Sequence, residues 1–200
     1  MSARLGQIEW PRRTERLAVR RASVDDIDAI FAIRSQPGVS EWLTTAADDR
    51  DVFQAHYAAP DRLAKTLVVE LEGEIIGDTM VSLSNAWSQT EIAAQAVDAE
   101  AELGWVIAPA HQGRGYAREV IEELFRLCFD DLGVRRITAG CFAANEASWR
   151  LMERLGMWRE YAGRRDGLHR SGRWMDGLAY AIDVDEWRTD GVRPDPTSTD

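Results

Sequence analysis

The stretch GRGYAREVIEEL, residues 113–124, sets two glycines, Gly113 and Gly115, directly before an amphipathic helical pattern. Consecutive backbone N–H groups at a helix N-terminus form an anion site, and glycines let a ligand approach that backbone closely, so these residue types point to phosphate binding. Two familiar phosphate turns are excluded. Tyr116, Ala117 and Arg118 stand where a P-loop needs Lys-Ser/Thr, and the third spaced glycine of a dinucleotide fingerprint is missing. A glycine connector with no ligand is the alternative reading.

Other reactive side chains carry weaker signals. Cys128 lies inside the helical pattern and Cys141 in an apolar strand-like run, neither with metal-ligand spacing. Both read as buried thiols of a reducing compartment; a nucleophilic Cys141 would need a histidine and an electropositive setting. His56 has no partner histidine or carboxylate cluster and reads as a packed or capping residue, and no metal site is expected. Arg164, Arg165, Arg170 and Arg173 gather in one segment that either contacts an acidic substrate or forms a solvated hairpin.

The chain has 200 residues, 45% of them hydrophobic, which suits one domain with a sizeable core. A net charge of −10 argues against sequence-independent nucleic-acid binding, which needs a basic surface. The N-terminus has arginines without a hydrophobic region behind them, and no long apolar span follows. No membrane association is expected, and the location is expected to be cytoplasmic.

The elements that must position the glycine turn follow from periodicity. RLAVRRA alternates as a half-buried strand, and Ser23 precedes a helix with Ile27, Ile30 and Phe31 on one face. A second helical region after Pro37 presents Val52, Phe53, His56 and Tyr57. KTLVVELEGEIIGDTMVSLS reads as a hairpin turning at Glu72-Gly73, followed by a long polar connection that borders a site. AELGWVIA is the fourth strand, ending at Pro109, and its alternation puts Glu102, Gly104 and Val106 on one face, opposite Leu103, Trp105 and Ile107. A helix from Gly115 to Asp130, the strand VRRITAGCF, a helix from Asn145 to Leu155 stopped by Gly156, and a last strand RWMDGLAYAIDVDEW complete the order.

These pieces, in this order, resemble the GCN5-related N-acetyltransferase (GNAT) superfamily. QGRGYA fits its acetyl-CoA diphosphate motif, Gln/Arg-x-x-Gly-x-Gly/Ala, with Gln112, Gly115 and Ala117 in register, and NEASWRLMERLGM is similar to its second cofactor motif. AELGWVI and GRWMDGLAYAIDVDEW resemble the RimJ/RimL-type branch, the ribosomal-protein N-terminal acetyltransferases and their small-molecule relatives. The resemblance implies an α+β fold with a mixed, largely antiparallel sheet of about seven strands flanked by about four helices, splayed between strands 4 and 5. Residues 14–188 would form the domain, 1–13 a polar leader, and 189–200 a tail with too little apolar surface to order itself.

By the same resemblance acetyl-CoA is the cosubstrate and a primary amine attacks its thioester directly. Backbone groups from Gly113 through Arg114, Gly115 and Tyr116 to Ala117 would hold the diphosphate, with Arg114 and Arg118 adding charge or standing as ordinary surface arginines. Glu102 matches the branch's proposed base, with an ordinary exposed strand carboxylate as the alternative. The oxyanion donor would be a strand N–H near Val106 or Ile107. Many relatives carry a tyrosine acid seven residues after the motif asparagine, where this chain has Met152. Ser148, one turn after Asn145, matches the branch pattern and either hydrogen-bonds the sulfur or serves helix capping.

Trp105, Trp174 and Tyr180 are the aromatic candidates for the acceptor pocket, a core position being the favoured reading for the last two. The acceptor is expected to be a peptide N-terminal α-amine, with a small amine such as an aminoglycoside or polyamine second. A silent acetyl-CoA-binding module is third, disfavoured by the retention of Glu102, Asn145 and Ser148. A homodimer is expected from the resemblance and from eight tryptophans in one small chain.

Overall fold

The structure is a computed structural model that describes residues 2–45 and 47–189. It opens with α1 (Ser2–Leu5), β1 (Arg12–Arg13) and β2 (Leu17–Arg21), then α2 (Ile27–Arg34), α3 (Pro37–Ser40), α4 (Arg50–Tyr57) and α5 (Pro60–Leu63). The hairpin β3 (Thr66–Leu71) and β4 (Glu74–Ser84) leads to β5 (Glu100–Ile107), α6 (Tyr116–Arg126), β6 (Arg136–Phe142) and α7 (Glu146–Arg154). β7 (Trp158–Ala162), β8 (Gly167–Leu168), β9 (Trp174–Met175), β10 (Gly177–Asp183) and α8 (Val184–Arg188) close the described chain.

Eight strands form the main sheet in the order β1-β2-β3-β4-β5-β6-β10-β7, one more than expected because the short β1 is added at the edge; β8 and β9 form a separate ribbon. Among the described residues only the β5–β6 pair is parallel. One face of the sheet, including Leu103, Ile137 and Tyr180, packs on α6 and α7 through Val120, Ile121, Leu124, Leu151 and Met152. On the other face, Val68 meets α2 and α4, and Val106 meets Ile33 of α2 and Val39 of α3. These helices thus cover the sheet with the apolar stripe that their 3.6-residue period creates.

Three stretches differ from the sequence expectation. The polar leader carries α1 and β1: Leu5 is buried in the main core, Trp10 Nε1 donates to the Leu5 carbonyl at 3.0 Å, and β1 pairs with β2. Arg12 also bridges Glu123 of α6 and Asp131 just beyond it. The expected last strand is divided into β9, β10 and α8. Asp183 and Glu186 form a capping box there, and this local bonding converts the strand end to a helix. The glycine-initiated helix runs on past Arg126 as a π-helical turn, Leu127–Asp131. The expected unordered tail lies, beyond Thr189, outside the described residues. Among the described residues no helix is long and apolar enough to cross a membrane.

Gly77 of β4 fixes the seating of β5. A Cβ there would collide with the Val106 carbonyl oxygen and with the Ile107 side chain. Because the first of these is backbone, it cannot swing aside, and Gly77→Ala is expected to cost about 1–3 kcal/mol by overpacking. Thermal unfolding followed by circular dichroism checks this; an unchanged midpoint would mean that β5 shifts freely.

Candidate active site

β5 and β6 pair for only three residues, Glu100↔Arg136, Ala101↔Ile137 and Glu102↔Thr138, and then part. β5 continues along β4 to Ile107, while β6 follows β10 to Phe142. A wedge therefore opens between them, with Glu102 at its apex. Glu102 is exposed and has no hydrogen-bond or ion-pair partner among the described residues.

The phase of the β5 ladder decides which backbone groups face this wedge. The Ala108 N–H donates to the Ile76 carbonyl at 2.8 Å, so Ala108 turns its backbone to β4. By strand alternation Val106 does the same, and Trp105 and Ile107 turn theirs to the wedge. Of the two residues expected to supply a free N–H, Ile107 turns its backbone to the wedge. Val106 does not, because its backbone bonds fall on the β4 side and its side chain is buried with Ile33 and Val39. The Ile107 carbonyl accepts from Gln112 Nε2 at 2.8 Å, which ties the end of β5 to the following turn.

That turn has the geometry an anion site requires. Gly113 has φ +73° and Gly115, the residue capping α6, has φ +84°, both in the left-handed region that favours glycine. No side chain caps the helix, and the amides of residues 113 to 118 find no hydrogen-bond acceptor among the described residues. A Cβ placed on Gly113 meets nothing within 4 Å, so the space beside that residue is open. The partial positive charge at the start of α6 acts at the same place. Arg118 is turned aside, its Nε donating to Glu122 at 2.8 Å, and Arg114 is exposed with no side-chain partner among the described residues.

On the β6 side, Asn145 caps α7, its side chain accepting from the Ser148 amide at 3.4 Å. Burial pushes the Cys141 thiol up, opposed by the Ser148 hydroxyl, the Arg159 charge and the Trp149 amide. The Ser148 hydroxyl thus stands beside the Cys141 sulfur of β6. Cys128 is fully buried and pushed up to about 12, which makes it inert. Met152 is completely buried in the main core, so no acid occupies the position where relatives carry tyrosine.

The aromatic candidates separate. Trp105 is half-buried against the main core, on the face opposite Glu102. Tyr180 is a correction: it is 1% exposed, its hydroxyl donating to Glu153 at 2.9 Å and accepting from Arg159 Nε at 2.7 Å. Alternation along β10 turns it to α7, where these partners satisfy its buried oxygen. Trp174 is exposed on β9, paired opposite Leu168, and does not line the neighbouring pocket. That pocket, about 320 Å³, is lined by Leu43, Thr44, Phe142, Leu168, His169 and Arg170. His169 ties its rim together: Nδ1 accepts from the Ser171 amide at 3.2 Å, so Nε2 carries the hydrogen donated to the Glu41 carbonyl at 2.9 Å. Its ring lies 5.8 Å from Trp42 and 5.5 Å from Phe142. Sequence reading missed this group, because only the strand end at Phe142 carried a signal. Among the described residues, no cluster of three or more His, Cys, Asp or Glu is placed to hold a metal ion.

Residues 16–158, which contain the splayed strands and the glycine turn, match the acetyltransferase (GNAT) domain family. The chain belongs to that family and is an N-acetyltransferase; the family's acyl donor is acetyl-CoA. It is 35% identical to the uncharacterized N-acetyltransferase YnaD of Bacillus subtilis over 43% of this chain, a match spanning only half of YnaD. It is 28% identical to YoaA of the same organism, covering 86% of this chain and 92% of YoaA. Among solved structures it resembles Mycobacterium smegmatis RimJ in complex with CoA-disulfide, with TM-score 0.71 and 21% identity over 90% of each chain. It also resembles the ribosomal-protein-S5-alanine acetyltransferase of Vibrio fischeri, with TM-score 0.71 and 19% identity over 90% of this chain and all of the other.

Proposed function

We propose that this protein transfers the acetyl group of acetyl-CoA directly to the α-amine of a protein or peptide N-terminus. The observation that carries the cosubstrate assignment is the row of unbonded amides from Gly113 to Arg118, set at a left-handed turn that a diphosphate can approach. The residues present fit the group. Those amides and the α6 dipole match two adjacent phosphates, and the Trp105 and Ile107 backbone groups in the wedge suit the amides of a pantetheine arm.

Acetyl-CoA supplies an activated acyl group as a thioester; the chain supplies the rest. Glu102, at the wedge apex and without a competing partner, takes the proton from the attacking amine directly or through one water. The Ile107 N–H is the donor available to the negative charge that develops on the carbonyl oxygen. In this reading Ser148, whose hydroxyl lies beside Cys141 at the end of β6, donates a hydrogen bond to the departing sulfur. A model thiol titrates at about 8.5, so the help required is small.

The acceptor class rests on proton chemistry and on the kinship with ribosomal-protein acetyltransferases. An α-amine loses its proton at about 7.7–8.0 against about 10.4 for lysine, which a carboxylate base handles far more readily. Incubation with acetyl-CoA and a panel of peptides, polyamines and aminoglycosides, read by tandem mass spectrometry, tests the assignment. Acetylation confined to peptide α-amines is expected. Modification of the small amines alone would transfer the assignment to that class, and binding of acetyl-CoA without acetylation of any amine would make the chain a silent module.

A further inference from the structure

Arg16, at the entrance to β2, reaches across to the glycine turn from almost a hundred residues away in sequence. Its Nη1 donates to the Arg114 carbonyl at 3.0 Å, and its Nη2 lies 3.4 Å from where a Gly115 Cβ would sit. The guanidinium carbon stands 4.5 Å from the centre of the Tyr116 ring. The same side chain grips Glu119, with Nε to Oε2 at 2.7 Å and Nη2 to Oε2 at 2.6 Å, while the Arg16 amide and the Thr14 hydroxyl both donate to Oε1.

Glu119 makes this arrangement informative. It lies in the first turns of α6, where a free carboxylate would repel phosphates bound at the amides just before it. Burial alone would push Glu119 up, but the bonds from Thr14 and Arg16 and the Arg16 charge outweigh it and hold the carboxyl below its usual range. It is therefore ionised, and Arg16 cancels its charge while pinning the carbonyl one residue before the left-handed Gly115.

We infer that Arg16 is a positioning residue for the diphosphate turn, holding the turn's backbone in its anion-binding form and neutralising Glu119 beside it. The inference rests on the acetyl-CoA reading of the turn. It predicts a loss confined to phosphate-bearing ligands, which a general packing role would not produce.

The test uses the full chain, with CoA affinity measured by calorimetry and pantetheine, which lacks the diphosphate, measured by ligand-observed NMR. Arg16→Ala is expected to weaken CoA at least about 10-fold and to leave pantetheine within about two-fold, the scale of one charge-assisted contact. Arg16→Lys keeps the ion pair with Glu119 but loses the fork that also spans to Arg114, so a smaller loss, again for CoA only, is expected even if the alanine variant fails to fold. Unchanged CoA affinity in either folded variant, or equal losses for CoA and pantetheine, would overturn the inference. Gly115→Asp in the same assay separates the two ideas: undiminished CoA binding there removes the diphosphate reading itself, whereas loss there with no effect at Arg16 removes only the positioning role.

Discussion

Glu102→Gln lowers kcat by about 10²–10⁴-fold with acetyl-CoA affinity near wild type, because general-base assistance is lost while the cofactor cleft keeps its shape. The amide is isosteric and exposed, so no packing changes. The location of Glu102 makes the expected effect large: it is the last β5 residue paired with β6, at the apex of the wedge in which the proposal seats the amine. The discriminating readout is the pH dependence of kcat/KM. Wild type should show an acid limb that vanishes in the variant, and an unchanged profile would remove Glu102 from the chemistry. Calorimetry with acetyl-CoA, performed alongside, separates a binding defect from a catalytic one.

Gly115→Asp acts on cofactor affinity instead. With φ at +84°, any Cβ at this position carries backbone strain, and Asp is among the side chains that tolerate it best. The added carboxylate then lies beside the amides that receive the diphosphate and repels it. Acetyl-CoA affinity is expected to fall by at least about 2 kcal/mol, or about 30-fold, and desulfo-CoA should suffer equally because the thioester makes no contact there. Gly115→Asn carries the same strain without the charge and should lose less. The circular dichroism spectrum of both variants should remain near wild type, since the turn is exposed.

What the sequence made legible was what is local or periodic. The conformation of Gly113 and Gly115 depends on their own residue type, and the face of Glu102 follows from a two-residue alternation that the ladder with β4 enforces. The Asn145 cap likewise lies next to the helix it starts. The rest depends on contacts between distant segments. Arg16 and Glu119 are 103 residues apart, and neither shows in isolation that it serves the turn. The Trp42–Phe142–His169 group joins two connections and the end of β6, with no shared period to reveal it. Tyr180 shows the limit of alternation: it fixed two faces of the strand but not which one meets α7, and this candidate for the pocket belongs to the core. Val106 failed on a similar point, because side-chain alternation was legible whereas the direction of its backbone bonds required the partner strand.

The central claim is that the wedge and the glycine turn together form the acetyl-CoA site, and a crystal structure of this chain with CoA bound tests it most directly. The account predicts diphosphate oxygens within hydrogen-bond distance of the amides between Gly113 and Arg118, the pantetheine arm between β5 and β6 against Trp105 and Ile107, and the thiol near Ser148 and within reach of Glu102. CoA bound elsewhere, with the turn amides facing only water, would contradict it.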